Sequence, residues 1–198
     1  MNTTIKVLLV CPNVWSEIFP QAVLTLSAVL KEQGFEVSVF SAEHRRKINH
    51  PPLTAAAAGT DEIVFDEFRG ILSEFQPDVI ALSVVEDAFP LASRLLDVIS
   101  GYRGVVIVGG VFATFAPDKC IAHPNVDAIC IGEGEKPLVD LCECLRNNKP
   151  LLGISGLWIK QGDGTVQKNP MGSPIVLDDL PTPDYSVLDQ QKFNGAVP

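Results

Sequence analysis

Five short apolar runs, at residues 6–10, 36–40, 78–85, 105–108 and 127–131, set the rhythm of the chain. As a set they run on rather than alternate and are rich in β-branched side chains, which predicts strands covered on both faces. Between them the period changes. Residues 19–33 place Leu26, Val29 and Leu30 on one helical face and stop at Gly34, and residues 61–76 carry Val64, Phe65, Phe68, Ile71, Leu72 and Phe75 as a 3.6-residue stripe ended by Pro77. Further helices are expected at 89–102 (Ala92, Leu95, Leu96, Ile99), briefly at 117–122, and at 135–147 (Leu138, Leu141, Leu145). Strand and helix alternate five times. Right-handed crossovers then build an α/β, flavodoxin-like (Rossmann-like) five-stranded parallel sheet of order 2-1-3-4-5, with helices on both faces.

Two stretches break the rhythm. Residues 43–60 read as an enlarged surface connection, partly helical at the alanines. After Pro150, residues 156–168 read as a β-hairpin around the turn Gln161-Gly162-Asp163-Gly164, and from Asn169 prolines recur without periodicity, as in a linker. The expected organisation is one domain over 1–150, followed by hairpin and linker over 151–198.

In an open parallel sheet, ligands collect beyond the carboxyl ends of the strands. Three loops there carry chemistry. Residues 11–20 are wide and hold Asn13, Val14, Trp15, Glu17 and Phe19, with neither G-x-G-x-x-G nor a Walker lysine, so no nucleotide phosphate is cradled. Trp15 offers an apolar ligand face or folds back on the core. Gly109-Gly110 follows a buried strand, where missing Cβ atoms let a ligand approach the backbone or merely permit a turn of positive φ. In Gly132-Glu133-Gly134-Glu135, a carboxylate near a helix start either caps the helix or closes over a ligand. Ser83, a small hydroxyl in an apolar strand, is either a satisfied core serine or a ligand contact.

Composition narrows the classes. Apolar residues make up 46% and charged residues 20%, enough for a substantial core. A formal net charge of −9 argues against nucleic acid as partner. No run is long enough to span a membrane, no signal-peptide pattern follows Met1, and five scattered cysteines fit a reducing cytoplasm.

These residues, in this order, resemble the cobalamin-binding N-terminal domain of cobalamin-dependent radical S-adenosylmethionine enzymes. The resemblance rests on Ser83-Val84-Val85, then Gly109-Gly110 with Phe112 and Thr114, the segment Asp127 to Glu135, the hairpin, and Leu177-Asp178-Asp179-Leu180-Pro181-Thr182-Pro183-Asp184-Tyr185. It implies that the nucleotide tail of cobalamin threads beside the first, third and fourth strands, with Ser83 as a hydrogen-bonding group and Gly109 and Gly110 leaving room. The corrin would lie on the strand ends under Asn13–Phe19, Val85 and Glu86, Phe112 to Thr114 (Ala113 included) and Glu133 to Glu135 (Gly134 included), with Val84, Val111 and Gly132 as further cofactor-binding residues. The implied function is the cobalamin module of a methyltransferase acting on an unactivated carbon, with radical ring closure or rearrangement as the alternative.

Two departures refine that picture. The D-x-H-x-x-G motif that supplies a histidine to cobalt in methionine-synthase-type domains is absent: the comparable stretch runs from Glu17 to Ala22, and the histidines are His44, His50 and His123. Base-off cobalamin without a histidine ligand is therefore expected. The C-x-x-x-C-x-x-C iron–sulfur motif is also absent. S-adenosylmethionine and an iron–sulfur cluster would belong to a radical domain beyond these residues. A receiver domain is disfavoured, because Cys11-Pro12, Ser83 and Gly132 stand where its acids and lysine would be. Flavin binding lacks its hydroxyl-rich loop. A ligand-free interaction domain stays open.

Overall fold

The computed structural model describes residues 4–12, 21–42 and 58–187. The apolar runs become β1 (Lys6–Cys11), β2 (Glu36–Ser41), β3 (Val79–Ser83), β4 (Val105–Gly109) and β5 (Ala128–Cys130). They are parallel neighbours in the order β2-β1-β3-β4-β5, as the alternation of elements predicts.

The hairpin forms as β6 (Leu157–Lys160) and β7 (Val166–Lys168), but it does not stand apart. β6 lies antiparallel on β5, matching Ala128 with Ile159 and Cys130 with Leu157, so one mixed sheet of seven strands results. Leu157 and Ile159 turn inward and join the core, which a free-standing hairpin could not offer them.

Side-chain alternation along the strands divides the core in two. Leu8, Val10, Ile80, Leu82, Val106, Val108 and Ile129 face α2 (Ala58–Phe75), α3 (Phe89–Val98), α4 (Val111–Phe115) and α5 (Pro117–Ile121). Val7, Leu9, Val79, Ala81, Ile107, Ala128 and Cys130 face α1 (Gln21–Glu32) and α6 (Glu135–Arg146). Among the described residues, two helices serve one face and four serve the other. The gap between α1 and α6 is where a ligand can enter.

Element ends follow local chemistry. Gly34, at φ +76°, ends α1, and Pro90 sits in the first turn of α3, where its missing N–H costs nothing. Residues 109–115, expected as an open loop, instead fold after Gly110 into the five-residue α4.

The segment after the hairpin is a strap rather than a loose linker. The Gly156 amide donates to the Pro170 carbonyl at 2.8 Å, and the Ile175 amide donates to a Glu133 carboxylate oxygen at 2.7 Å. At Asp184 the strap reaches α1: the fully buried Ser27 hydroxyl donates at 2.7 Å and the Lys31 ammonium at 2.6 Å. Burial alone would raise the Asp184 carboxyl, but hydrogen bonds from Lys31, Ser186 and Ser27 outweigh it and hold the group well below the usual carboxylate range. A depressed folded-state value gives a contribution that is present above the unfolded carboxylate range, near ~4, and lost as pH falls below it. Acidification from pH 6 to pH 3 should therefore loosen residues 170–187, read as faster amide exchange there than in the sheet. Asp184→Asn should show that loosening already at pH 7, by about 1 kcal/mol once solvent screening of the half-exposed lysine is allowed for. Equal protection in both proteins across this range would contradict the clamp.

Candidate functional site

A groove of about 380 Å³ opens at the carboxyl ends of β1, β3, β4 and β5, between α1 and α6. Its floor is Leu9, Ala81, Ile107 and Cys130, and its walls are Ala22, Val23 and Leu26 of α1 and Leu138 of α6. The depth comes from residue size. Ala81 stands between the larger Leu9 and Ile107 on neighbouring strands, so the sheet surface is recessed at β3.

Ser83 is the last residue of β3 and pairs in register with Gly109, the last of β4. The two glycines after Val108 do different things. A Cβ at Gly109 would lie 3.5 Å from the Cys130 Cβ, an ordinary contact, so a longer side chain there would project into the groove. A Cβ at Gly110 would lie 2.7 Å from the Val84 carbonyl oxygen and 2.8 Å from its nitrogen, and the residue has φ +91° and ψ −175°. That region is essentially glycine-only. Room for a ligand is therefore the business of Gly109. Gly110 is required for the close approach of β3, although its backbone borders the groove.

Beyond Gly110 the chain turns back on β3: the Val84 amide donates to the Gly109 carbonyl at 2.9 Å and the Phe112 amide to the Val84 carbonyl at 3.1 Å. Phe112 and Ala113, which the resemblance placed near the corrin, and the cofactor-binding candidate Val84 point into the opposite half of the core, with the Phe112 ring tilted by 40° against Phe89 at 4.6 Å between ring centres. The rim itself is apolar. Val111 and Phe115, which line the groove, are 61% and 83% exposed, and Val85, two residues past the end of β3, is 54% exposed, more than solvent alone would favour for apolar side chains. Glu86 is exposed in the turn before α3, and Asn13, Val14, Trp15, Glu17 and Phe19 lie outside the described residues.

The groove's polar side chains are Ser83, Thr114, Glu133 and Glu135. Thr114 is spent on the fold: its hydroxyl donates to the Gly110 carbonyl at 3.2 Å and accepts from the Gly132 amide at 3.0 Å. Glu133 holds the strap through Ile175, and neither it nor Glu135 caps α6, which has no side-chain cap. Gly132 has φ +80° and lies under Met171, where a Cβ would meet the sulfur at 2.8 Å. Ser83 makes no side-chain hydrogen bond among the described residues, and Oε2 of Glu135 is buried without a partner. Those two groups are left for a ligand.

Cys11, Cys120, Cys130 and Cys142 are buried, and burial pushes Cys11, Cys130 and Cys142 up to about 12 and Cys120 up to about 11. Among the described residues no three His, Cys, Asp or Glu side chains come together to hold a metal. His123 precedes β5, at the far end of the sheet, with Nε2 3.3 Å from Asp97. His44 and His50 lie outside the described residues. No helix among the described residues is long and apolar enough to cross a membrane.

Sequence reasoning did not pick out Leu9, Ala22, Leu26, Ala81, Ile107, Cys130 or Leu138. Ala81 carried a usable signal, a lone small residue inside an otherwise bulky strand. Nothing local marked the helix residues, because only the tertiary gap between α1 and α6 turns them towards a ligand.

A recessed groove at the carboxyl ends of a parallel sheet, lined mainly by apolar side chains and holding two unpaired polar groups, defines an α/β domain with a ligand-sized opening at its strand ends. The family model for the B12 binding domain matches residues 7–142, and the chain belongs to that family. Among curated proteins it is 28% identical to an uncharacterised methyltransferase of Pyrococcus horikoshii over 68% of this chain and 30% of that one. It is 27% identical to cytidylyl-2-hydroxyethylphosphonate methyltransferase of Streptomyces wedmorensis, over 77% of this chain and 29% of that one. The chain thus spans under a third of these relatives' length. Among solved structures, the cobalamin-dependent S-adenosylmethionine radical enzyme OxsB with aqua-cobalamin and S-adenosylmethionine bound has the same fold (TM-score 0.74, 24% identity, 93% of this chain and 24% of that one). The radical methyltransferase TsrM from Kitasatospora setae with cobalamin and a [4Fe-4S] cluster bound is similar too (TM-score 0.70, 22% identity, 91% and 31% covered).

Proposed function

We propose that this chain is the cobalamin module of a radical S-adenosylmethionine enzyme, a methyltransferase acting on an unactivated carbon. The observation that carries the reading is the groove under Gly109, bare of Cβ and recessed at Ala81, in a chain of the B12-binding family. The residues present fit the cofactor's shape. The groove between α1 and α6 suits the nucleotide tail, with Ser83 in hydrogen-bonding position, and the rim of Val85, Val111 and Phe115 suits a flat macrocycle. Burying those three side chains contributes about 25 cal/mol per Å² of apolar area covered. When bound, cobalamin supplies a cobalt-held methyl group for transfer to a substrate radical.

The chain's own part is binding, orientation and exclusion of water from the corrin's lower face. Base-off cobalamin without a histidine ligand is part of this reading; it rests on the missing D-x-H-x-x-G motif in the sequence. The expected boundary near residue 150 moves outward, because β6 and β7 complete the module's sheet; the strap beyond them leads towards the radical domain, which would hold S-adenosylmethionine and the iron–sulfur cluster. Two of the relatives are named methyltransferases, and an anaerobic magnesium-protoporphyrin IX monomethyl ester cyclase of Rubrivivax gelatinosus, 27% identical over 69% of this chain, keeps ring closure as the second reading.

The test is direct. The chain, mixed with hydroxocobalamin and desalted, should keep corrin absorption close to one equivalent, whereas folded colourless protein would refute the reading. Reduced to cob(II)alamin, the complex should show no nitrogen superhyperfine splitting in its paramagnetic resonance spectrum. Clear splitting would place an axial nitrogen, from benzimidazole or histidine, on cobalt and overturn the base-off, histidine-free assignment.

A further inference from the structure

Glu135 opens α6, and its side chain borders the groove beside Leu138 and Cys130. Its proximity to the floor is felt electrically: after burial itself, the Glu135 carboxylate is what raises the Cys130 thiol. One oxygen, Oε2, is shut off from solvent and has no hydrogen-bond partner, the single such side-chain atom among the described residues. A buried acceptor left unpaired is costly, and native proteins seldom keep one without a use. Neighbouring groups do not meet the need. Thr114 is occupied by Gly110 and Gly132, Glu133 by the strap, and Ser83 ends β3 on the other side of β4 from β5.

We infer that Glu135 is the groove's acceptor for a hydroxyl of the ligand's nucleotide arm, so that it recognises the arm rather than the corrin. This rests on the cobalamin reading above and deepens it. An oxygen that can only accept selects an O–H or N–H donor and repels the arm's phosphate, which must then lie away from α6. The ribose is the hydroxyl-bearing part of the arm. The position within the groove, rather than on the rim with Val111 and Phe115, separates this contact from any that the macrocycle makes.

The experiment compares cobalamin with cobinamide, which keeps the corrin and lacks the nucleotide. Binding of both to the described chain is followed by absorbance for the wild type, Glu135→Ala and Glu135→Gln, with thermal melting of each apo protein as the folding control. The expected result is a loss of about tenfold to a hundredfold in cobalamin affinity for Glu135→Ala, as for a hydrogen bond to a charged acceptor. Glu135→Gln, which keeps an acceptor oxygen, should lose less, and cobinamide affinity should be the same in all three. An equal loss for both corrinoids, or no loss for cobalamin, overturns the assignment while leaving the module's function standing. Wild-type protein that binds neither corrinoid overturns both.

Discussion

Gly109→Leu should abolish corrin retention while leaving the apo protein as stable as the wild type. The new Cβ finds an ordinary contact with Cys130, and the position is a strand end with no left-handed backbone to strain, so the fold accepts it. Leucine suits a pleated strand better than glycine does, which holds the change in apo stability within about 0.5 kcal/mol. The remaining side-chain atoms have to occupy part of the groove that Gly109 lines, space that the arm of the ligand would need. Overlap of that kind cannot be relieved by a close-packed sheet, and a loss of at least about a hundredfold, roughly 3 kcal/mol, is expected. Titration with hydroxocobalamin beside a melting curve separates the two effects. Undiminished affinity would mean that the arm does not pass Gly109.

Gly110→Ala should do the reverse, damaging the fold itself. Its backbone lies where only glycine is comfortable, at φ +91° and ψ −175°, and a methyl there would press on Val84 at 2.7 Å from oxygen and 2.8 Å from nitrogen. Strain alone costs about 1–3 kcal/mol. Overlap with the backbone adds to it, because Val84 is fixed by its bonds to Gly109 and Phe112. A total near 3 kcal/mol lowers the melting temperature of a domain this size by about 6–12 °C. An alanine protein that melts with the wild type would show that α4 can be re-aimed without cost.

Those adjacent glycines mark how far sequence reading reaches. The strands were legible because a sheet covered on both faces needs runs such as Val79 to Leu82, and few other structures do. The stripe from Val64 to Phe75 gave α2 in the same way. Five residues, Val111–Phe115, are too few to show a period, so α4 read as loop. Pairing of β6 with β5 was invisible because it joins residues about thirty apart by backbone bonds that carry no side-chain signature. The strap was hidden for a similar reason: Asp184 meets Ser27 and Lys31 across 157 and 153 positions. Within the site, the resemblance named residues at the strand ends where the groove opens, without showing which side chains face it. That depends on the alternation at Val84 and on the turn through Gly110, and both were fixed only by the fold.

β5 is three residues long, and only Ala128 and Ile129 are matched with β4. Its other flank is closed by β6. A protein trimmed to the stretch that matches the family, 7–142, would end before the hairpin, bare the backbone of β5 as an open sheet edge and strip away Ile154, Leu157 and Ile159. Such an edge invites neighbouring molecules to add their own strands. The cooperative unit therefore outruns the conserved name: anyone dissecting this chain must carry it through Lys168 or work with an aggregating remnant.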